Sequence, residues 1–141
     1  MKSSEEKYSL FTDGGARGNP GPGAIGVVLK KGAEIIFAQG RCMGEITNNQ
    51  GEYSAIIGGL EVAKKMKISN LECFLDSELV VKQLNGEYKV KDEKLKILFQ
   101  RVKKLEEDFD SISFNHVPRE KNKLADKLVN EALDKGAGFV G

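Results

Sequence analysis

The stretch YSLFTDGGARGNPGPGAIGVVLKKGAEIIFAQGRCM (8–43) decides the fold. YSLFTD (8–13) reads as a strand. AIGVVLKKG (24–32) and AEIIFAQGRCM (33–43) read as two more, joined by a tight turn around Lys31-Gly32. The connections are too short for parallel crossovers, so the three strands form an antiparallel meander. The first strand closes on Asp13, and five glycines, two prolines and an Asn follow before hydrophobicity returns. GPGAIG (21–26) matches a dinucleotide-binding fingerprint in letters only, because it precedes a strand and opens no helix.

Downstream the periodicity changes. TNNQGEYSAIIGGLEVAKKMK (47–67) carries a cap at Thr47 or an Asn, and Glu52, Ile56, Leu60 and Ala63 recur at helical spacing. Its Gly58-Gly59 pair weakens the helix by roughly 1 kcal/mol per glycine, a cost that close packing on a sheet would explain. LECFLD (71–76) is a short strand ending in Asp76, and SELVVKQLNG (77–86) a short helix stopped by Asn-Gly. KDEKLKILFQRVKKLEEDF (91–109) is a long amphipathic helix, SISFNHVP (111–118) a strand, and NKLADKLVNEALDKG (122–136) a final helix with a glycine stop. The order βββαβααβα predicts an α/β fold: one five-stranded mixed sheet, antiparallel at first and then parallel, with helices on both faces.

A length of 141 residues suits one catalytic domain (1–141), with residues 1–6 expected to fray. Apolar residues at 40% and charged residues at 30% are an ordinary soluble balance. No apolar run approaches the length of a membrane span and the N-terminus has no signal-type apolar region, which points to the cytoplasm. A net charge of +1 excludes a strongly basic nucleic-acid protein, although not a local patch. The lysines between 64 and 104 are mostly interleaved with acids at helical spacing, the pattern of a solvated face. Cys42 and Cys73 are far apart and read as two buried free thiols.

Four carboxylates stand in unusual places. Asp13 and Asp76 each end an apolar strand, and on parallel neighbours they would lie side by side at the sheet's carboxyl edge. Adjacent buried carboxylates repel and are poorly solvated, and a divalent cation relieves both. Asp76 could instead cap the helix that follows. Glu52 lies on the sheet-facing stripe of its helix, or else takes part in a capping box from Thr47 or Asn49, of which Asn49 has the three-residue spacing. Asp126 lies in the first turns of the last helix, where the helix dipole alone would favour it. Four oxygen donors without a His or Cys cluster describe a hard-cation site, for Mg²⁺ with Mn²⁺ as a substitute.

FTDGGARGNPGPGAIGVVL, TNNQGEYSAIIGGL, FLDSELVVKQLNG and HVPREKNKLADKLVNEA resemble, in order, the four motif blocks of type 1 ribonuclease H, over about residues 8–135. The resemblance implies a ribonuclease H-like fold and an endoribonuclease that hydrolyses the RNA strand of RNA/DNA hybrids. It implies that Asp13, Glu52, Asp76 and Asp126 hold two metal ions about 4 Å apart across the scissile phosphate, with Asp13 bridging them. Products would carry 5′-phosphate and 3′-hydroxyl ends. Gly14 and Gly15 would leave room for the phosphate. Asn19, Asn48 and Asn49 match positions that touch the minor groove of the hybrid, where the 2′-hydroxyl marks RNA. Gln50 stands where some relatives have Arg in the phosphate pocket, and Ser77 follows Asp76 in the third block.

The chain departs from the pattern in places. The catalytic-loop His of many members is missing. His116, the one His, falls within the strand and reads as a packed or edge residue, and Arg119 is the candidate cation in its place. Residues 84–96 pass from helix to helix without a basic, Trp-rich protrusion, and no hybrid-binding domain is expected before the core. The compact form is similar to bacterial or archaeal members, some of which also cut RNA/RNA duplexes, and a monomer is the default. Competing readings are another nuclease or transferase on the same fold, a non-catalytic nucleic-acid-binding module, and a phosphorylated receiver. The TNNQGE block argues against the first, the complete carboxylate set against the second, and the opening meander against the third.

Overall fold

The structure is a computed structural model that describes residues 7–140, with side chains described to Gly136; the predicted fraying of 1–6 lies outside these residues. The elements follow the expected order: β1 (Tyr8–Ala16), β2 (Gly21–Lys31), β3 (Glu34–Ile46), α1 (Asn48–Lys65), β4 (Asn70–Leu75), α2 (Glu78–Leu84), α3 (Glu93–Glu106), β5 (Ser111–His116) and α4 (Lys123–Val140). A single 3₁₀ turn, Arg119–Lys121, links β5 to α4. The sheet order is β3-β2-β1-β4-β5. β1, β2 and β3 pair antiparallel, and β4 and β5 add in parallel.

Strand ends differ from the sequence expectation. β1 continues three residues past Asp13, and β2 begins at Gly21 rather than Ala24. Asp13↔Gly26, Gly14↔Ile25, Gly15↔Ala24 and Ala16↔Gly23 extend the ladder. Hydrophobicity stops where the core stops, but backbone pairing needs no apolar side chain. The glycine-rich segment is therefore mostly hairpin. α4 likewise runs through Gly136, which lies against the Cys42 sulfur and does not stop the helix. Cys42 is exposed on edge strand β3, not buried as expected, and donates to the Ala132 carbonyl at 3.0 Å; Cys73 is buried, and both are free.

β2 is buried along most of its length because helices cover both faces. On one face α1, α2 and α3 enclose the main core, built on Leu10, Leu29, Tyr53, Ile56, Leu60, Leu75, Val80 and Val102. On the other, α4 covers a much smaller cluster of Ala24, Val129 and Leu133. Gly59 meets Leu10 so closely that a methyl group would collide, which accounts for that glycine inside α1; at Gly58 a methyl would meet only side-chain ends, the nearest that of Ile25 at 3.3 Å. Gly26 plays the same part under α4, where a side chain would strike the Ala125 carbonyl. That contact seats the first turns of α4 directly on β2 and brings Asp126 to the sheet edge.

Among the described residues no helix is long and apolar enough to cross a membrane. Many of the clustered lysines pair with acids on the helix surfaces, as Lys64 does with Asp108 at 3.0 Å and Lys103 with Glu106 at 3.1 Å.

Candidate active site

The β1–β4 register ends at Thr12↔Leu75. Asp13 and Asp76 come next on the two chains, so both carboxylates emerge where the parallel ladder opens. Glu52 joins them because Gly14 and Gly51 let β1 and the first turn of α1 touch backbone to backbone; a Cβ on either glycine would collide with the other segment. One carboxylate oxygen from each of Asp13, Glu52 and Asp76 lies within 4.8 Å of the others. Gly14 thus serves helix–strand contact and also lines the cavity over the carboxylates. Gly15 lines the same cavity, and a Cβ added there would meet only Asn48 Oδ1 at 3.4 Å.

The capping alternatives for two of these acids fail. The first turn of α1 is closed by a capping box in which Thr47 accepts from the Gln50 N–H and Gln50 accepts from the Thr47 N–H at 2.9 Å. Glu52 has no part in it. α2 is capped by Ser77, which accepts from the Val80 N–H at 3.3 Å, leaving the Asp76 carboxylate uncommitted to the helix. The structure thus gives Gln50 and Ser77 helix-capping roles, and neither lines the cavity over the carboxylates.

The electrostatics of the cluster are unfavourable without a counter-charge. Asp13 is 8% exposed, and its pKa is pushed from 3.8 up to about 7, first by burial, then by the Asp76 charge and by a hydrogen bond with Asp126 and its charge. Glu52 is raised well above its ordinary value, first by burial, then by the charges of Asp13 and Asp76; the Arg119 guanidinium and the Gly14 amide oppose the rise. The Glu52 Oε1 atom is buried with no hydrogen-bond partner among the described residues. Converging, poorly solvated carboxylates with an unused oxygen match the all-oxygen donor set of a hard divalent cation.

A polar cavity of about 360 Å³ opens over the cluster, lined by Asp13, Glu52, Asp126, Gly15, Asn48 and Arg119 among others. Asn48 Oδ1 accepts from the Ala16 N–H at 2.9 Å, and Asn19 Oδ1 accepts from the Asn48 N–H at 2.9 Å. Backbone N–H groups are donors only, so these bonds assign the oxygens and leave each side-chain NH₂ as the free end. Asn49 shares the first turn of α1 but does not line the cavity. His116 is exposed at the end of edge strand β5, consistent with an edge residue.

Two features were not read from the sequence. Arg17 reaches from the β1–β2 turn to Asp134 of α4 at 2.7 Å and closes one side of the cavity. Asn122, 2% exposed, donates from Nδ2 to the Thr12 carbonyl at 2.8 Å and to Asp76 Oδ2 at 3.3 Å. Its spacing four residues before Asp126 was visible, but an Asn before a helix reads as a cap.

Residues 11–132 match the family described as reverse transcriptase-like. The chain is 46% identical over 129 residues to ribonuclease HI of Halobacterium salinarum, covering 91% of this chain and 65% of that one. It is 37% identical over 133 residues to a bifunctional protein of Mycobacterium tuberculosis, covering 93% of this chain and 36% of that one. It thus spans under two thirds of both curated relatives. Among solved structures, LC11-RNase H1 in complex with RNA/DNA hybrid superposes with a TM-score of 0.89 at 42% identity, covering 93% of this chain and 99% of that one. With the sheet order, the helix placement and these matches in agreement, the chain belongs to the type 1 ribonuclease H family.

Proposed function

We propose that this chain is an endoribonuclease that hydrolyses the RNA strand of RNA/DNA hybrids and leaves 5′-phosphate and 3′-hydroxyl ends. The observation that carries the reading is the convergence of Asp13, Glu52 and Asp76 within 4.8 Å at the open end of two parallel strands. A family relative whose structure contains an RNA/DNA hybrid supports the substrate class.

Asp13, Glu52 and Asp76 would hold the divalent cations, with Asp126 approaching from α4; Mg²⁺ is the proposed species and Mn²⁺ its substitute. Bound there, two such ions supply charge neutralisation at the phosphate and an activated water, so no protein nucleophile is needed. Burial of Asp13 against the sheet fixes its carboxylate before substrate arrives. Arg119 contributes a permanent positive charge on the cavity wall, suited to an anionic backbone. The free amide ends of Asn19 and Asn48 present hydrogen-bond donors on the same side, suited to 2′-hydroxyl oxygens and minor-groove base acceptors. Asn49 and Gln50 follow Asn48 in the first turn of α1 and Ser77 follows Asp76; none of the three lines the cavity, so their contacts to a hybrid would be made beyond its rim. All these groups come from one chain, so a monomer suffices.

The test is cleavage of end-labelled RNA/DNA, RNA/RNA, DNA/DNA and single-stranded RNA with Mg²⁺, Mn²⁺ or EDTA. Metal-dependent cutting of RNA in the hybrid is expected. Cutting of RNA/RNA as well would widen the substrate class, and no cutting of the hybrid with either metal would overturn the proposal.

A further inference from the structure

Asn122 immediately precedes α4, and its carbonyl accepts the Asp126 N–H at 3.1 Å, as the residue before a helix does. An Asn there ordinarily turns its side-chain oxygen onto the first free amides of the helix. Asn122 does not. Its Oδ1 is buried without a partner among the described residues, while Nδ2 faces two acceptors, the Thr12 carbonyl and Asp76 Oδ2. An amide nitrogen carries two protons, and both are matched. The backbone N–H of Asn122 donates to the Arg119 carbonyl at 2.9 Å. One residue therefore ties β1 where its parallel ladder with β4 ends, the carboxylate after β4, the turn bearing Arg119 and the start of the helix bearing Asp126.

We infer that Asn122 is a positioning residue for the carboxylate cluster: its side-chain amide fixes the plane of the Asp76 carboxylate and the seating of the segment that carries Arg119 and Asp126. The inference rests on the proposed cation-dependent function. A neutral donor suits the task, because it orients a carboxylate without cancelling the charge a cation must meet; Lys or Arg at this place would compete with that cation. Hydrogen bonds to metal-holding carboxylates commonly act this way.

The deciding variant is Asn122→Ser in the full chain. Ser caps a helix as well as Asn but is too short to serve both acceptors. A positioning role predicts that the folded variant binds Mn²⁺ about 10–100-fold more weakly by calorimetry, with kcat on the hybrid falling and KM unchanged. It also predicts that Asn122→Ser adds little further loss of Mn²⁺ affinity when Asp76→Ala is already present. Wild-type Mn²⁺ affinity and kcat in a folded Asn122→Ser variant would overturn the inference and leave the function standing. No Mn²⁺ binding by the wild type would overturn both. Should Asn122→Ser not fold, nuclear magnetic resonance of the Asn122 side-chain NH₂ decides. In Asp76→Ala one of its two protons is expected to shift and lose protection while its mate, held by Thr12, keeps both; two unmoved protons would sink the idea.

Discussion

β1 and β4 run side by side through two regimes. At Leu10↔Cys73 the pair is fully buried and dry, with Gly59 pressed onto Leu10. Burial, and then the Glu106 charge, push the Cys73 thiol well up, so it stays neutral and behaves as a small apolar group. Three residues further along each strand, Asp13 and Asp76 face one another with Glu52 beside them. The same burial that makes the first region stable makes the second one strained by charge. The middle of the pair therefore supplies stability, and its end spends some of it on a site prepared for cations.

That contrast makes opposite predictions for the two regions. Asp13→Asn is expected to cut hybrid hydrolysis on the order of a thousandfold or more, since cation-held charge contributes several kcal/mol to such transition states. The same variant should raise the melting temperature of the metal-free protein, because a buried repelled carboxylate is gone. Activity assays beside thermal melts in EDTA test both halves, and a metal-free Asp13→Asn protein that melts lower would break the comparison. Leu10→Ala should do the reverse: about 2–5 kcal/mol of stability lost to a core cavity, with little change in turnover of the molecules that remain folded. Urea titration and active-site-normalised kinetics would show it.

The pH dependence follows from Asp13. Its folded pKa of about 7 lies above the ordinary 3.8, so between those values the folded state holds a proton that the unfolded state has lost. Metal-free stability should therefore fall as pH rises from about 4 to 7, by on the order of 4 kcal/mol, and Glu52, raised in the same direction, adds to the fall. Saturating Mg²⁺ should flatten that slope, because the ion binds the ionised cluster. Urea unfolding across pH in EDTA and in Mg²⁺ measures this; an identical slope in both would argue against a cation site. The smallest effect belongs to Arg119, which is exposed on the cavity wall. Arg119→Ala should lower turnover by about tenfold, roughly 1.4 kcal/mol, and full turnover would remove it from the site.

Much of the cluster was legible before folding was considered. A carboxylate that closes an apolar strand, as in LFTD and CFLD, breaks the pattern of its own segment, and so does Glu52 on a sheet-facing stripe. The exact reach of the strands was not legible in GGARGNPGPG, because ladder hydrogen bonds leave no trace in side-chain character. The capping roles of Gln50 and Ser77 were masked in another way: each lies beside a more conspicuous acid, and both spacings permit a cap.

The linear chain by itself determined the element order, the meander followed by parallel crossovers, and the identity of the acids, because periodicity and strand-end chemistry are local properties. Tertiary structure alone decided that Gly14 meets Gly51, that Gly26 lies under Ala125, and that the amide of Asn122 spans from Thr12 to Asp76. Those contacts join residues 37, 99, 110 and 46 positions apart in the chain. They depend on separations held to within a few tenths of an ångström, and only the packed sheet and helices set positions that finely.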